Sequence, residues 1–260
     1  MNFVVLMKQT PDIALVKVSD AGEIELPNTP GTVNPYDEYA VEEAIRLKER
    51  FGGKTIVLTM GSEKAENSIR DCLALGADEA YLVCDPAFEN SDSQATARIL
   101  AAAIKKIPDV AVVLSGKQSA DGEAGQTPAA VAFHLGWPGI SFVKKIVDVK
   151  DGAVIVNAAT ADGYDVFSAS LPVVVSCLKE IAEPRLPSLK GKMGAKKIPI
   201  VKWSGADLGL DNSAVGANSP SKIVKNTAPA PRAKGQFIDG ATPQELADNL
   251  YRKLKADQVL

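Results

Sequence analysis

The chain has 260 residues, 46% of them hydrophobic and 23% charged, with a formal net charge of −3. That composition describes a globular chain able to bury a substantial core, and no apolar run approaches the length of a bilayer-spanning helix. Three widely spaced cysteines (Cys72, Cys84, Cys177) and a single histidine (His134) exclude a disulfide framework, a spaced zinc site and a Ser-His-Asp hydrolase, and the few aromatics argue against nucleic-acid stacking.

Residues 2–7 read as a short buried strand. Met1 runs directly into it without a basic region or cleavage site, so no secretory signal is expected, and the cysteine usage predicts a reducing, cytoplasmic location. Asn34-Pro35 opens a helix, as a good N-cap followed by proline at the first helical position. Asp37 and Glu38 then sit where the helix dipole favours acids, and Gly52-Gly53 stops the helix. Thr55–Met60 is the next strand, and Ser62 is expected to cap a helix through Leu75. A strand at Ala80–Cys84, a helix near Asp92–Lys106, a strand at Val110–Ser115 and a helix from Thr127-Pro128 to Leu135 follow. Four strand–helix alternations predict a doubly wound parallel α/β sheet with helices on both faces.

From about Ser141 the rhythm changes. Four short β-like segments, ending with Val173–Cys177, have no helices between them and suggest an antiparallel addition or edge to the same sheet. Between Arg185 and Gly235 ten basic residues face two acidic ones, so that segment carries +8 and leaves −11 on the rest. It is either a solvated tail or an arm laid on an acidic partner surface. Pro243–Asp257 closes the chain with an amphipathic helix, its stripe formed by Leu246, Leu250 and Leu254. The expected division is an α/β domain over 1–183 and an arm over 184–260.

In an open parallel sheet, ligands bind beyond the carboxyl ends of the strands. The richest loop there is Ser115-Gly116-Lys117-Gln118-Ser119-Ala120-Asp121-Gly122-Glu123-Ala124-Gly125-Gln126-Thr127. Its glycines admit a phosphate close to the backbone, the helix start supplies unpaired N–H groups, and Lys117, Gln118 and Ser119 add donors. The alternative is a plain mobile loop, since neither GxGxxG nor a Walker sequence is present. Asp121 and Glu123 suit ribose hydroxyls or loop shape better than acid–base work. Asn34–Asp37 is a second candidate, with helix capping as its alternative; Met60-Gly61 forms either a wall against a planar base or a buried strand end. His134 and the three cysteines read as packing residues.

Several of these stretches, in order, resemble the electron-transfer flavoprotein beta subunit. They are Val33-Asn-Pro-Tyr-Asp-Glu-Tyr-Ala-Val-Glu-Glu-Ala44, Ala74-Leu-Gly-Ala-Asp78, Gly116-Lys-Gln-Ser-Ala-Asp-Gly122 with Gly125-Gln-Thr127, Leu171-Pro-Val-Val-Val-Ser176, Glu183-Pro-Arg-Leu-Pro-Ser-Leu189 and Lys192-Met-Gly-Ala-Lys-Lys197. The resemblance implies a Rossmann-like domain in a heterodimer whose alpha subunit holds the main FAD and is wrapped by the C-terminal arm. It places an adenine-nucleotide site on Leu6, Asn34, Pro35, Tyr36, Asp37, Met60 and Gly116–Thr127. It puts Leu189 at the tip of a recognition loop that docks an acyl-CoA dehydrogenase. Asp85-Pro-Ala-Phe88 and Asp92-Ser-Gln-Ala-Thr96 resemble the electron-bifurcating branch. In that branch a second FAD replaces the AMP of housekeeping members and NADH is oxidised; Ser93 and Thr96 would then reach the flavin ring. The family's arginine on the strand before Leu-Pro is missing from Val156–Gly163, so contacts inferred from it are not carried over. A stand-alone nucleotide-binding regulator of the universal-stress type is a rival reading that leaves the basic arm unexplained.

Overall fold

A computed structural model describes residues 1–19, 22–26, 31–229, 232 and 234–260. Strand β1 (Asn2–Leu6) opens the chain. Two-residue strands β2 (Gln9–Thr10), β3 (Lys17–Val18), β4 (Ile24–Glu25) and β5 (Thr32–Val33) then make two small antiparallel ladders, β2 with β5 and β3 with β4. Next come α1 (Pro35–Phe51), β6 (Lys54–Met60), α2 (Glu66–Leu75), β7 (Glu79–Val83), α3 (Ser93–Ile104), β8 (Val110–Gly116) and α4 (Thr127–Leu135).

Strands β9 (Gly139–Lys150), β10 (Ala153–Ala159), β11 (Tyr164–Ser170) and β12 (Val173–Cys177) follow. After α5 (Leu189–Ala195) and β13 (Ile200–Trp203) comes the terminal helix α6 (Pro243–Ala256). The main sheet has nine strands in the order β11-β10-β9-β12-β8-β1-β6-β7-β13. From β9 to β13 all neighbours are parallel, and β9–β10–β11 is an antiparallel meander at one edge.

Alternation along β1 shows why both faces are covered. Phe3 and Val5 point into the core shared with α1, α2 and α5, whereas Val4 and Leu6 point into the core shared with α3 and α4. Gly52 ends α1 in the left-handed region at φ 76°, and Lys54 then begins β6.

Four expectations change. Val173–Cys177 is not part of the antiparallel edge: β12 lies between β9 and β8, parallel to both and buried at every residue. A strand covered on both faces reads as an unbroken apolar run, which sequence alone does not distinguish from an edge meander. Ser62 leads a 3-10 turn (Glu63–Ala65) before α2 and makes no side-chain cap, and Gln126 rather than Thr127 occupies the position before α4.

The fourth change concerns the basic segment, which returns to the sheet before it leaves. β13 pairs with β7, and α5 packs so closely on α2 that a Cβ at Gly191 would lie 2.3 Å from the Ala74 carbonyl oxygen. Arg70 reaches across to the Ala195 and Ile198 carbonyls. Between Ser221 and α6 the described residues form no helix or strand and are exposed apart from the half-buried Ala228 and Ile238, and α6 buries none of its residues. No helix among the described residues is long and apolar enough to cross a membrane.

Candidate functional site

Successive crossovers carry the chain from β1 to β6 and β7, then back to β8 on the other side of β1. The carboxyl ends of β1 and β8 therefore diverge at a topological switch point, where an open α/β sheet forms a crevice. A cavity of about 350 Å³ opens there. Its floor is Leu6, Leu58 and Met60 at the strand ends; one wall is the Ser115–Pro128 loop, and the other is the β7–α3 connection with Phe88, Ser91 and Ser93.

The first turn of α1 holds the strand ends together. Asp37 is buried, and its carboxylate accepts the Lys8 amide at 2.8 Å and the Gly116 amide at 2.9 Å. Burial pushes its pKa up to about 6, and these two amides, Asn34 and the Lys8 charge oppose that rise. Gly116 is required by close approach: a Cβ there would stand 2.5 Å from the Tyr36 carbonyl carbon.

Asn34 takes the N-cap position of α1 but does not cap it with its side chain. Its Nδ2 donates to the Gln118 carbonyl at 2.9 Å, and its Oδ1 accepts the Ala120 amide at 3.0 Å. Lys8 Nζ closes on Asp121 at 2.7 Å. Burial favours the neutral acid at Asp121, but Lys8 and the Ser119 hydroxyl overcome it and hold the carboxyl below its ordinary range. Three anchors therefore fix the loop between Gly116 and Asp121. Beyond them Glu123 (φ 49°) and Gly125 (φ 62°) turn the chain through the left-handed region into α4.

The cavity thus gathers Leu6, Asn34, Asp37, Met60, Ser93, Thr96, Gly116, Gln118, Ser119, Gly122, Ala124, Gly125 and Thr127. Pro35, Tyr36, Lys117, Ala120, Asp121, Glu123 and Gln126 do not line it. Several of these support it instead: Tyr36 packs on Gly116, Lys117 Nζ lies 5.2 Å from the Tyr36 ring centre, and Asp121 is committed to Lys8. Leu189 begins α5, away from the cavity and 77% exposed. Sequence reasoning missed Met7 and Lys8, although the rule that ligands bind past strand ends covers both. It also missed Phe88, Leu58 and Leu100, whose lining role has no signal beyond ordinary apolar character.

Two helix starts converge here, Ser93 of α3 and Thr127 of α4. The first amides of a helix lack intrahelical acceptors and carry partial positive charge. Those of α3 at Gln94 and Ala95 are taken by the Asp92 carboxylate, so it is the uncapped start of α4 that favours an anionic group. Both acidic side chains on its lining are engaged by protein amides. Asp37 is held by Lys8 and Gly116. At Asp92 burial is outweighed by the Ala95, Ser221 and Gln94 amides, which keep the carboxyl below its ordinary range.

Residues 26–208 match the family model described as the electron transfer flavoprotein domain. The chain is 38% identical over 263 aligned residues to the caffeyl-CoA reductase-Etf complex subunit CarD of Acetobacterium woodii, covering all of both chains. It is 37% identical to the electron transfer flavoprotein subunit beta of Thermoanaerobacterium thermosaccharolyticum, again over both full lengths. With the protein FixA of Azotobacter vinelandii it shares 36% identity over 98% of this chain and 94% of that one. A mostly parallel sheet with a crevice at its switch point and relatives matched from end to end leave one assignment: the chain belongs to the electron transfer flavoprotein beta-subunit family.

Proposed function

We propose that this chain binds FAD in the switch-point cavity and pairs with an electron-transfer flavoprotein alpha subunit. In this reading the pair oxidises NADH and passes electrons to or from an acyl-CoA dehydrogenase-type partner in the cytoplasm. The observation that carries the reading is the convergence of the Gly116–Thr127 loop and the hydroxyls of Ser93 and Thr96 on one cavity. The residues present fit an adenine dinucleotide. Small residues and the uncapped start of α4 suit its phosphates, Met60 and Leu6 offer an apolar surface to a ring, and Ser93 and Thr96 offer hydroxyls to a second ring system.

When bound, the flavin supplies hydride acceptance and one-electron transfer. This chain's own part is binding and orientation. Asn34 and Lys8 hold the phosphate-facing loop, Asp37 fixes the strand ends beneath it, and Ser93 and Thr96 hold donors at the start of α3. A relative named as part of a caffeyl-CoA reductase complex supports a coenzyme-A-linked redox partner, and the exposed Leu189 is the residue proposed to meet it.

The second reading is the housekeeping electron carrier, in which the same cavity holds AMP. The Gly116–Thr127 loop alone would satisfy it. Counting flavin and nucleotide in the purified heterodimer decides between the two: two FAD per pair supports the proposal, and one FAD with one AMP overturns it in favour of the carrier.

A further inference from the structure

Asn212–Ser221 is uncharged apart from its flanks and shows no recognisable chemistry in the sequence. In the fold it lies behind the β7–α3 connection whose other side is a wall of the cavity. The Gly216 amide donates to Ser91 Oγ at 2.9 Å, and that hydroxyl donates onward to the Phe88 carbonyl at 2.7 Å. The Asp92 amide donates to Ser219 Oγ at 3.1 Å, and the Ser221 amide donates to Asp92 Oδ2 at 3.0 Å.

The fit is close. Val215 and Ser219 are 1% and 3% exposed. Gly216 adopts φ 59°, and a Cβ on it would lie 2.0 Å from the Ala87 carbonyl oxygen. Phe88, Ser91, Asp92, Ser93 and Thr96 line the cavity, whereas Val215, Gly216, Ser219 and Ser221 do not.

We propose that residues 215–221 form a strap that sets where Ser93 and Thr96 stand in the cavity, which makes Gly216 and Ser219 positioning residues for ligand selection. The hydrogen bonds of Gly216, Ser219 and Ser221 described above all go to the α3 wall, while Asn34, Asp37 and Lys8 anchor the opposite loop. It therefore governs the part of a ligand that lies against α3 and leaves adenylate phosphate binding alone. This rests on the reading of the cavity as an FAD site.

The test is calorimetric titration of the full chain with FAD and, separately, with AMP. Ser219→Ala removes one hydrogen bond from the wall. It is expected to weaken FAD binding about threefold to tenfold and to change AMP binding less than about twofold. Ser219→Thr keeps the hydroxyl and is expected to restore FAD binding. Gly216→Ala, which collides with Ala87, is expected to show the same selectivity more strongly. General loosening of the fold would lower both affinities together, so equal weakening of FAD and AMP, or no change in either, overturns the strap. Failure of the underlying reading appears earlier and separately, as wild-type chain that takes AMP but not FAD.

Discussion

The Asp37 carboxylate accepts the Gly116 amide at 2.9 Å across 79 positions of sequence, tying the first turn of α1 to the end of β8. This acid is buried and titrates near 6 rather than at its ordinary 3.8, because burial outweighs the amides and the Lys8 charge. The native state therefore binds a proton more tightly than the unfolded chain, and the Asp37 contribution to stability falls as pH rises from about 4 to about 6, then levels. In urea unfolding, wild type should lose up to about 3 kcal/mol relative to Asp37→Asn between pH 4 and pH 7. Glu43, raised to about 7 by burial, adds a similar slope to both proteins and cancels in the difference. Parallel curves for the two proteins would show that Asp37 is not a strained buried charge.

At Gly116 backbone meets backbone, so no side chain can move aside. Gly116→Ala should cost roughly 1–3 kcal/mol or more in urea unfolding. AMP affinity should fall with it, since the displaced segment begins the phosphate-facing loop. An alanine variant with unchanged stability and unchanged AMP binding would mean the helix and loop are not in contact.

Arg185 joins the segment after β12 to α1. It meets Glu42 at 2.8 Å and Glu49 at 2.6 Å, and Glu42 is 2% exposed. Burial favours protonation of Glu42, but Arg185 and Arg46 overcome it and keep the carboxyl below its ordinary range. Arg185→Gln leaves a buried carboxylate held by Arg46 and by the backbone amide of residue 185. The expected loss is about 2–3 kcal/mol, below the full cost of breaking a buried pair because Arg46 remains. Thermal and urea unfolding measure it. A loss below about 0.5 kcal/mol would place the pair among ordinary surface bridges.

Leu189 is largely exposed, so its truncation should not disturb the core. Leu189→Ala should leave flavin content and melting temperature unchanged. It should weaken electron transfer with the proposed acyl-CoA dehydrogenase-type partner about tenfold, as an interface anchor would. Equal transfer by variant and wild type would move the docking surface elsewhere.

The parallel core was legible because its signals are local. Asn34-Pro35 starts a helix, Gly52-Gly53 stops it, and Val110–Ser115 runs apolar between turns. The position of β12 was not legible, because strand order is set by distant pairing and Val173-Val174-Val175 suits any doubly covered strand. α5 and β13 were hidden in a basic, proline-punctuated segment, where Lys202 on the outermost strand made the pattern look like solvated tail. At the cavity, residue type alone singled out the loop and the Asn34 turn, which the fold brings together. Lys8 and the back of the α3 wall were not, because their roles depend on which side chain or amide meets them in space.

β12 also dictates how the molecule must be made. Residues 173–177 fill a gap between β8 and β9, so both neighbours wait with unsatisfied backbone edges until that late stretch emerges. A nascent or clipped chain ending at residue 170 would hold two open apolar ribbons side by side, each a template for intermolecular pairing. Fragments stopping short of Cys177 should clump, whereas those extending past it should stay dispersed.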